Sequence, residues 1–317
     1  MADNVANSST FTSQQQQGRL DDAGVFPKVV LIDSVSYCNL LCSMCVHKKM
    51  TRPKGIMPWS LFTKIIDEVA AEDKNARVWM VFFGEALILK RRTPSIFDMI
   101  AYAKGKGLTD VVLNSNANLL DDHAARGLIN AGLDAIYIGL DAFTPETYAK
   151  VRVGGHYRRT VDHILHLMEL KQAMKAANPE IFVQFVEMDS NRAEKEDFIR
   201  FWNSHGAKVK IRPKVSWAGM IDAPNLVLGN EERWPCYWAM RTMSITDTGK
   251  VVTCAVDLDA RFVAGDIMKQ SLKEVWNGSL KELRRLHNEK RFGELPENCR
   301  DCRDWQSARA DYHSVNS

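Results

Sequence analysis

The sequence predicts an α/β protein, a partial (β/α)6 barrel followed by a smaller cysteine-bearing domain. Three observations lead there. Six short apolar, β-branched runs alternate with helix-like segments between residues 27 and 213, the pattern of right-handed βαβ units and a parallel sheet. Three cysteines directly follow the first of those runs, at a strand's C-terminal end, where open α/β folds place ligands. Four more cysteines lie beyond residue 235, where the alternation has stopped.

Residues 28–33 (Lys-Val-Val-Leu-Ile-Asp) form the first strand. A helix over 60–70 follows, with apolar residues at 61, 62, 65, 66 and 69 along one face. The second strand, 78–83, runs into Gly84-Glu85-Ala86. A helix over 95–104 leads to the third strand, 110–113, and a helix over 121–131 to the fourth, 135–140. Thr144 and Pro145 are a helix N-cap and first helical residue. A long helix over 157–177 is stopped by Pro179. Strand 181–186, helix 194–205 and strand 209–211 close the series. A closed eight-unit barrel takes about 250 residues, more than 27–213 supply. The barrel is therefore open on one side, where a larger substrate or the C-terminal segment fits.

Around this barrel the chain divides into a disordered polar tail (1–26), a linker over the barrel mouth (214–234), a second domain (235–305) and a short tail (306–317). The second domain begins with a hairpin over 243–246 and 251–253, turned at Asp247-Thr248-Gly249. Helices over 271–276 and 279–291 follow, then a Cys299-Arg300-Asp301-Cys302 knuckle.

Composition narrows the function. At 317 residues, 45% apolar and 26% charged, the chain is an ordinary globular protein. A net charge of +3 is too mild to argue for nucleic acid. No apolar run reaches the length of a membrane span, and the first 18 residues lack a signal peptide's hydrophobic core. A cytoplasmic chain with seven cysteines uses them for metal ligation rather than disulfides.

Cys38, Cys42 and Cys45 stand at C-x3-C-x2-C spacing. Three thiolates suit a soft metal or an iron–sulfur cluster. A cubane has four irons, so three thiolates leave one open to an outside ligand, as catalytic zinc keeps one position free. Buried small hydrophobes and a zinc site are the other readings. Cys236, Cys254, Cys299 and Cys302 would saturate either a tetrahedral zinc or a cubane, and spacing alone favours zinc.

The triad in Ser36-Tyr37-Cys38-Asn39-Leu40-Leu41-Cys42-Ser43-Met44-Cys45 resembles the signature of the radical S-adenosylmethionine (radical SAM) superfamily. The resemblance implies a TIM-like partial barrel and a [4Fe-4S] cluster on Cys38, Cys42 and Cys45 whose open iron chelates S-adenosyl-L-methionine. One electron then cleaves the sulfonium and releases a 5′-deoxyadenosyl radical. Gly84-Glu85 resembles the family's Gly-Gly-Glu motif, whose glutamate accepts hydrogen bonds from the SAM ammonium; Phe83 replaces the first glycine. Asn114-Ser115-Asn116 resembles the Thr-Asn-Gly segment beside the cluster. Gly139-Leu140-Asp141-Ala142 resembles a Ser-Leu-Asp-Gly element whose serine often touches the SAM ribose, with Gly139 in the serine's place. Met44 and Asp141 join these as expected cofactor contacts.

From Pro235-Cys236 through Gly249 to Cys254, Gly265-Asp266-Ile267 and Cys299-x2-Cys302-x2-Trp305, the chain resembles the SPASM or shortened "twitch" domain. That likeness turns the four-thiolate reading from zinc to one auxiliary [4Fe-4S] cluster, two clusters in all. The triad and the quartet use every cysteine. Without a spare thiol as hydrogen donor, the implied chemistry is that of dehydrogenases of the 2-deoxy-scyllo-inosamine type rather than of epimerases.

The expectation is therefore an oxidoreductase abstracting hydrogen from a carbon that bears a hydroxyl or amine. The substrate would be a sugar, an aminocyclitol or a nucleoside, the auxiliary cluster the electron acceptor, and flavodoxin or ferredoxin the electron donor. Arg152, Gln184, Glu187 and Arg212, at strand ends or just beyond, are the substrate-site candidates, although a lone arginine such as Arg152 reads first as a surface residue. Rivals are epimerisation or dehydration of a sugar, modification of a ribosomally made peptide, and a zinc-stabilised binding module. The stretch before the first strand is too short for a leader-binding domain, which weighs against the peptide.

Overall fold

The computed structural model describes residues 24–224, 233–309 and 313–315. The polar tail up to residue 23, linker residues 225–232 and most of the stretch after 309 lie outside the described residues.

Six parallel strands build the barrel: β1 (Val29–Ile32), β2 (Arg77–Trp79), β3 (Val111–Ser115), β4 (Ala135–Gly139), β5 (Glu180–Glu187) and β6 (Lys208–Pro213). Each pairs with the next in sequence order, the singly wound arrangement that consecutive right-handed crossovers produce. The connecting helices are α1 (Trp59–Glu72), α2 (Ile96–Gly105), α3 (Asp122–Asn130), α4 (Pro145–Val151), α5 (Tyr157–Ala173) and α6 (Lys195–Ser204). Their starts are written in the sequence. Ser95 and Asp98 close a capping box on α2, Asp121 caps α3, and Thr144 caps α4 with Pro145 at its first position. Helix α5 ends four residues before the expected 177, because Lys175 turns into the left-handed region at φ 51°.

Alternation along the strands separates two faces. Val30, Val78, Val111, Ile136, Val183 and Val209 are buried against the helices in the main core. On the other face Val112, Ala135 and Tyr137 form a separate cluster with Trp79 and Phe182, which lines the barrel's interior.

The second domain does not sit apart from this sheet. Strand β7 (Thr242–Ile245) pairs parallel with β1, and β8 (Lys250–Val252) and β9 (Val263–Asp266) continue antiparallel. At the opposite edge β10 (His313–Val315) pairs antiparallel with β6. The open side thus receives C-terminal segments at both edges. Helices α7 (Tyr237–Arg241), α8 (Leu272–Asn277), α9 (Ser279–Asn288) and α10 (Glu297–Arg300) complete the domain. Among the described residues, no helix is long and apolar enough to cross a membrane.

One strand is shorter than its sequence suggests. The apolar run 78–83 leaves the sheet after Trp79, because its later backbone serves the loop above β1. Phe83 N donates to Asp33 Oδ1 at 3.3 Å and Glu85 N to Tyr37 O at 2.8 Å. Strand β3 conversely runs two residues further, taking in Asn114 and Ser115.

Candidate functional site

The loop from β1 to α1 carries Cys38, Cys42 and Cys45 and is tied down along its length. Leu41 N donates to Val153 O at 2.9 Å and Ser43 N to Val151 O at 3.0 Å, which seats the loop on the end of α4. His47 Nε2 lies 2.8 Å from Ser36 O, and Asn116 Nδ2 donates to Asn39 Oδ1 at 2.8 Å. Gly84 passes so close beneath that a Cβ there would overlap Val35 O and lie 2.8 Å from Tyr37 O. Only glycine fits. Gly84→Ala is expected to cost about 3 kcal/mol, the upper end for overpacking, because backbone cannot rotate aside; a thermal melt unchanged from wild type would contradict this.

The three thiols are free and lie within electrostatic reach of one another. Burial pushes Cys38 up to about 12 and raises Cys45 as well, so without a metal these groups stay protonated. A soft metal that displaces the proton and holds the thiolate suits such a donor set. Cys254 likewise lies within reach of Cys236, Cys299 and Cys302, and burial raises all four, Cys299 to about 12. Among the described residues, no three Cys, His, Asp or Glu side chains close around a single ion. A cubane, in which each thiolate ligates its own iron, needs a set wider than the roughly 2.3 Å Zn–S bonds of one tetrahedral ion allow.

Glu85, in the loop after β2, is buried. Its Oε1 accepts from Leu87 N at 3.1 Å and Ser115 Oγ at 2.9 Å, and its Oε2 from Asn116 N at 2.7 Å. Burial raises its pKa against the pull of those donors. Glu85 therefore ties the end of β3 to the loop after β2 and, through Asn116, to the thiol loop.

Arg152 overturns its reading as a surface residue. Its side chain is 14% exposed and pairs through Nε, at 2.7 Å, and Nη2 with the fully buried Asp141 carboxylate, while Nη1 lies 3.6 Å from Cys42 Sγ. Burial alone would lower the guanidinium pKa, but Asp141 and the Cys42 side outweigh it and hold the charge firmly. Asp141 takes a left-handed φ of 60°, which turns its carboxylate back to accept Val186 N at 2.6 Å. Gly139 gives the guanidinium its room, since a Cβ there would collide with Nη2 and sit 2.8 Å from Cζ. The glycine in the serine's place thus has a steric reason.

Gln184 and Arg212 come together on the barrel's interior face. Arg212 Nη1 donates to Gln184 Oε1 at 3.1 Å, and Gln184 Nε2 reaches Asn114 Oδ1 at 3.4 Å. Glu187 does not join them. It falls on the opposite side of β5 from Gln184 and is held by Arg192 at 3.0 Å and Lys195 at 3.2 Å, which removes it from the substrate candidates.

The two thiol sets are bridged by residues that single-strand patterns do not reveal. Trp217 Nε1 donates to Met44 O at 2.9 Å, while Ser216 N and Ala218 N donate to the Asp304 carboxylate at 2.6 and 2.8 Å. Linker residues 216–218 are therefore clamped between the triad loop and the residue two positions after Cys302. Arg52, from the same loop, joins Asp33 at 2.7 Å to Asp247 of the hairpin turn and donates to Leu258 O at 3.0 Å. Burial pushes Asp33 up to about 6 even with Arg52 beside it. Near the second set, Arg233 donates to Cys299 O at 2.7 Å, and Cys236 N to His287 Nδ1 at 3.5 Å.

Comparison with known proteins finds two family matches. Residues 32–175 match the Radical SAM superfamily, and residues 236–303 match SPASM, an iron-sulfur cluster-binding domain. A "Tungsten-containing aldehyde ferredoxin oxidoreductase cofactor-modifying protein" of Pyrococcus furiosus is 26% identical over 55% of this chain. The match spans 48% of that protein, so the chain covers about half the length of this relative. Among solved structures, BtrN in complex with AdoMet and 2-DOIA superposes with a TM-score of 0.59 at 15% identity, covering 92% of this chain and 96% of BtrN. Streptococcus suis SuiB bound to precursor peptide SuiA gives 0.63 at 13% identity, covering 87% and 72%. These two likenesses are likenesses of fold.

Proposed function

From a chain that combines a radical SAM domain with a SPASM iron–sulfur domain, we propose a radical SAM oxidoreductase that removes hydrogen from a carbon bearing a hydroxyl or amine on a small polar molecule. The radical SAM domain binds a [4Fe-4S] cluster and SAM, and the SPASM domain binds auxiliary iron–sulfur chemistry. The observation that carries the reading is the thiol triad, Cys42 buried and Cys38 and Cys45 partly so, on a loop tied to α4 and to the end of β3, with Glu85, Asn116 and Arg152 around it. When bound, the cluster and SAM supply a one-electron cleavage that yields the 5′-deoxyadenosyl radical.

The chain's own residues hold and orient. Cys38, Cys42 and Cys45 hold the SAM-binding cluster, with Met44, Gly84, Glu85, Asn114, Ser115, Asn116 and Asp141 shaping the nucleoside site beside it. Arg152, locked by Asp141, holds its guanidinium beside the Cys42 thiol. Cys236, Cys254, Cys299 and Cys302 would hold one auxiliary cluster, which would supply an acceptor for the one electron left on the substrate after hydrogen-atom and proton loss. The stretch from Tyr37 to Lys54 exposes Tyr37, Leu41, Lys48, Lys49 and Lys54, and an acidic carrier such as flavodoxin or ferredoxin is the electron donor in this reading.

Anaerobic reconstitution followed by incubation with deuterated candidate substrates tests the proposal. Label should pass into 5′-deoxyadenosine, and the product should weigh two hydrogens less than the substrate. A product lighter by water, or of unchanged mass, would replace oxidation by dehydration or epimerisation. Label transfer from a peptide alone would place the enzyme with peptide modifiers, a reading to which the likeness in fold to SuiB in its peptide complex lends support. Stoichiometric zinc with no iron would defeat the enzyme reading altogether.

A further inference from the structure

The interior face of the barrel has a chemical character that the proposed reaction does not use. Trp79, Tyr137 and Phe182 form a continuous aromatic floor, with centroids 4.8 Å apart for Trp79–Tyr137 and 4.5 Å for Tyr137–Phe182, the latter pair stacked within 5°. Above it, strand register sets Gly139, Gln184 and Lys210 side by side, and one level higher Val186 and Arg212. Lys210 Nζ stands 4.7 Å above the Tyr137 ring, and Arg212 reaches Gln184. Two cations of β6 and the carboxamides of Asn114 and Gln184 therefore share one wall, next to the Gly139 gap that admits Arg152. The carboxylates bordering this face, Asp110 and Glu180, lie within electrostatic reach of the Tyr137 hydroxyl and bind Arg77 and Lys208 at 2.8 and 2.6 Å.

Resting on the radical SAM reading above, we propose that this wall is an oxyanion subsite: the substrate is a small molecule carrying a carboxylate or phosphate that Lys210 and Arg212 hold while its body lies on the aromatic floor. A guanidinium and an ammonium two residues apart on one strand face recognise such a group through charge-assisted hydrogen bonds. The carboxamides supply neutral donors beside them. Burial, with the charges of Arg212 and Arg77, pushes the Lys210 ammonium down to about 7, and a bound oxyanion restores its proton. An aminocyclitol or other amine would instead set a third positive charge against the wall, so this subsite selects against one of the substrate classes considered above.

The test is calorimetric titration of the SAM-loaded holoenzyme with sodium phosphate and, separately, sodium succinate, against sodium chloride at matched ionic strength. We expect saturable binding of one anion per chain by phosphate or succinate, the stronger of the two naming the group. Arg212→Gln and Lys210→Met should each weaken it at least tenfold, with SAM affinity and melting temperature as controls for the fold. Saturable binding absent for both anions, or undiminished in the two variants, overturns the subsite. Failure of the radical SAM reading looks different: SAM then neither binds nor is cleaved, whatever the anions do.

Discussion

Cys42→Ala should reduce 5′-deoxyadenosine formation to the background measured without enzyme, and should lower anaerobic iron content from about eight to about four per chain. The physical reason is in the loop. Cys42 sits between Cys38 and Cys45 on a segment pinned by Leu41 N to Val153 O and Ser43 N to Val151 O, so the backbone cannot move another donor into the gap. Two thiolates cannot hold a cubane that needs three to leave a single iron open. Cys254→Ala should remove the other four irons, which separates the two sets. Iron content unchanged in Cys42→Ala would remove the triad from cluster ligation. Normal cleavage of SAM by that variant would do the same.

Arg152→Met should be the most destabilising single change at the site that leaves every thiol in place. Removing one partner of a buried ion pair costs about 3–5 kcal/mol, here because Asp141 stays fully buried with Val186 N as a remaining donor. For a chain of this length that loss corresponds to a fall in melting temperature on the order of 10 °C. The anaerobic holoprotein is the form to melt, since cluster loss would obscure the comparison. The double variant Arg152→Met with Asp141→Asn should recover part of the loss, because the uncompensated charge is gone. A melting temperature within two or three degrees of wild type in the single variant would mean that water reaches Asp141 and the pair is not buried in solution.

Much of the architecture is legible before folding because it is written in local periods. Apolar pairs and triplets at helical spacing mark α1, and the caps Ser95, Asp121 and Thr144 mark where α2, α3 and α4 begin. Strand ends are less legible. The run after Trp79 is as apolar as a strand, yet past Met80, whose N still donates to Val112 O of β3, the backbone turns away: Phe83 N donates to Asp33 and Glu85 N, just beyond the run, to Tyr37 O. Glu187 shows the same limit at one residue's resolution: a substrate candidate by position, it faces away from Gln184 because side chains alternate along β5. Gly139 carried a signal that could have found Arg152. A glycine at the end of a buried strand marks a close approach, and what approaches is the guanidinium.

By itself, then, the order of residues determined the six βα units, the two thiol sets and the chemistry that three or four sulfurs can support, because period and spacing are properties of neighbouring positions. Folding alone decided which distant groups meet. Arg152 reaches Cys42 across 110 residues, β7 extends the barrel sheet at β1, and Lys210, Arg212 and Gln184 share a wall only because β5 and β6 pair in one register. Pairing between strands is settled by burial of their faces and by backbone hydrogen bonds made far along the chain, and no local pattern records it.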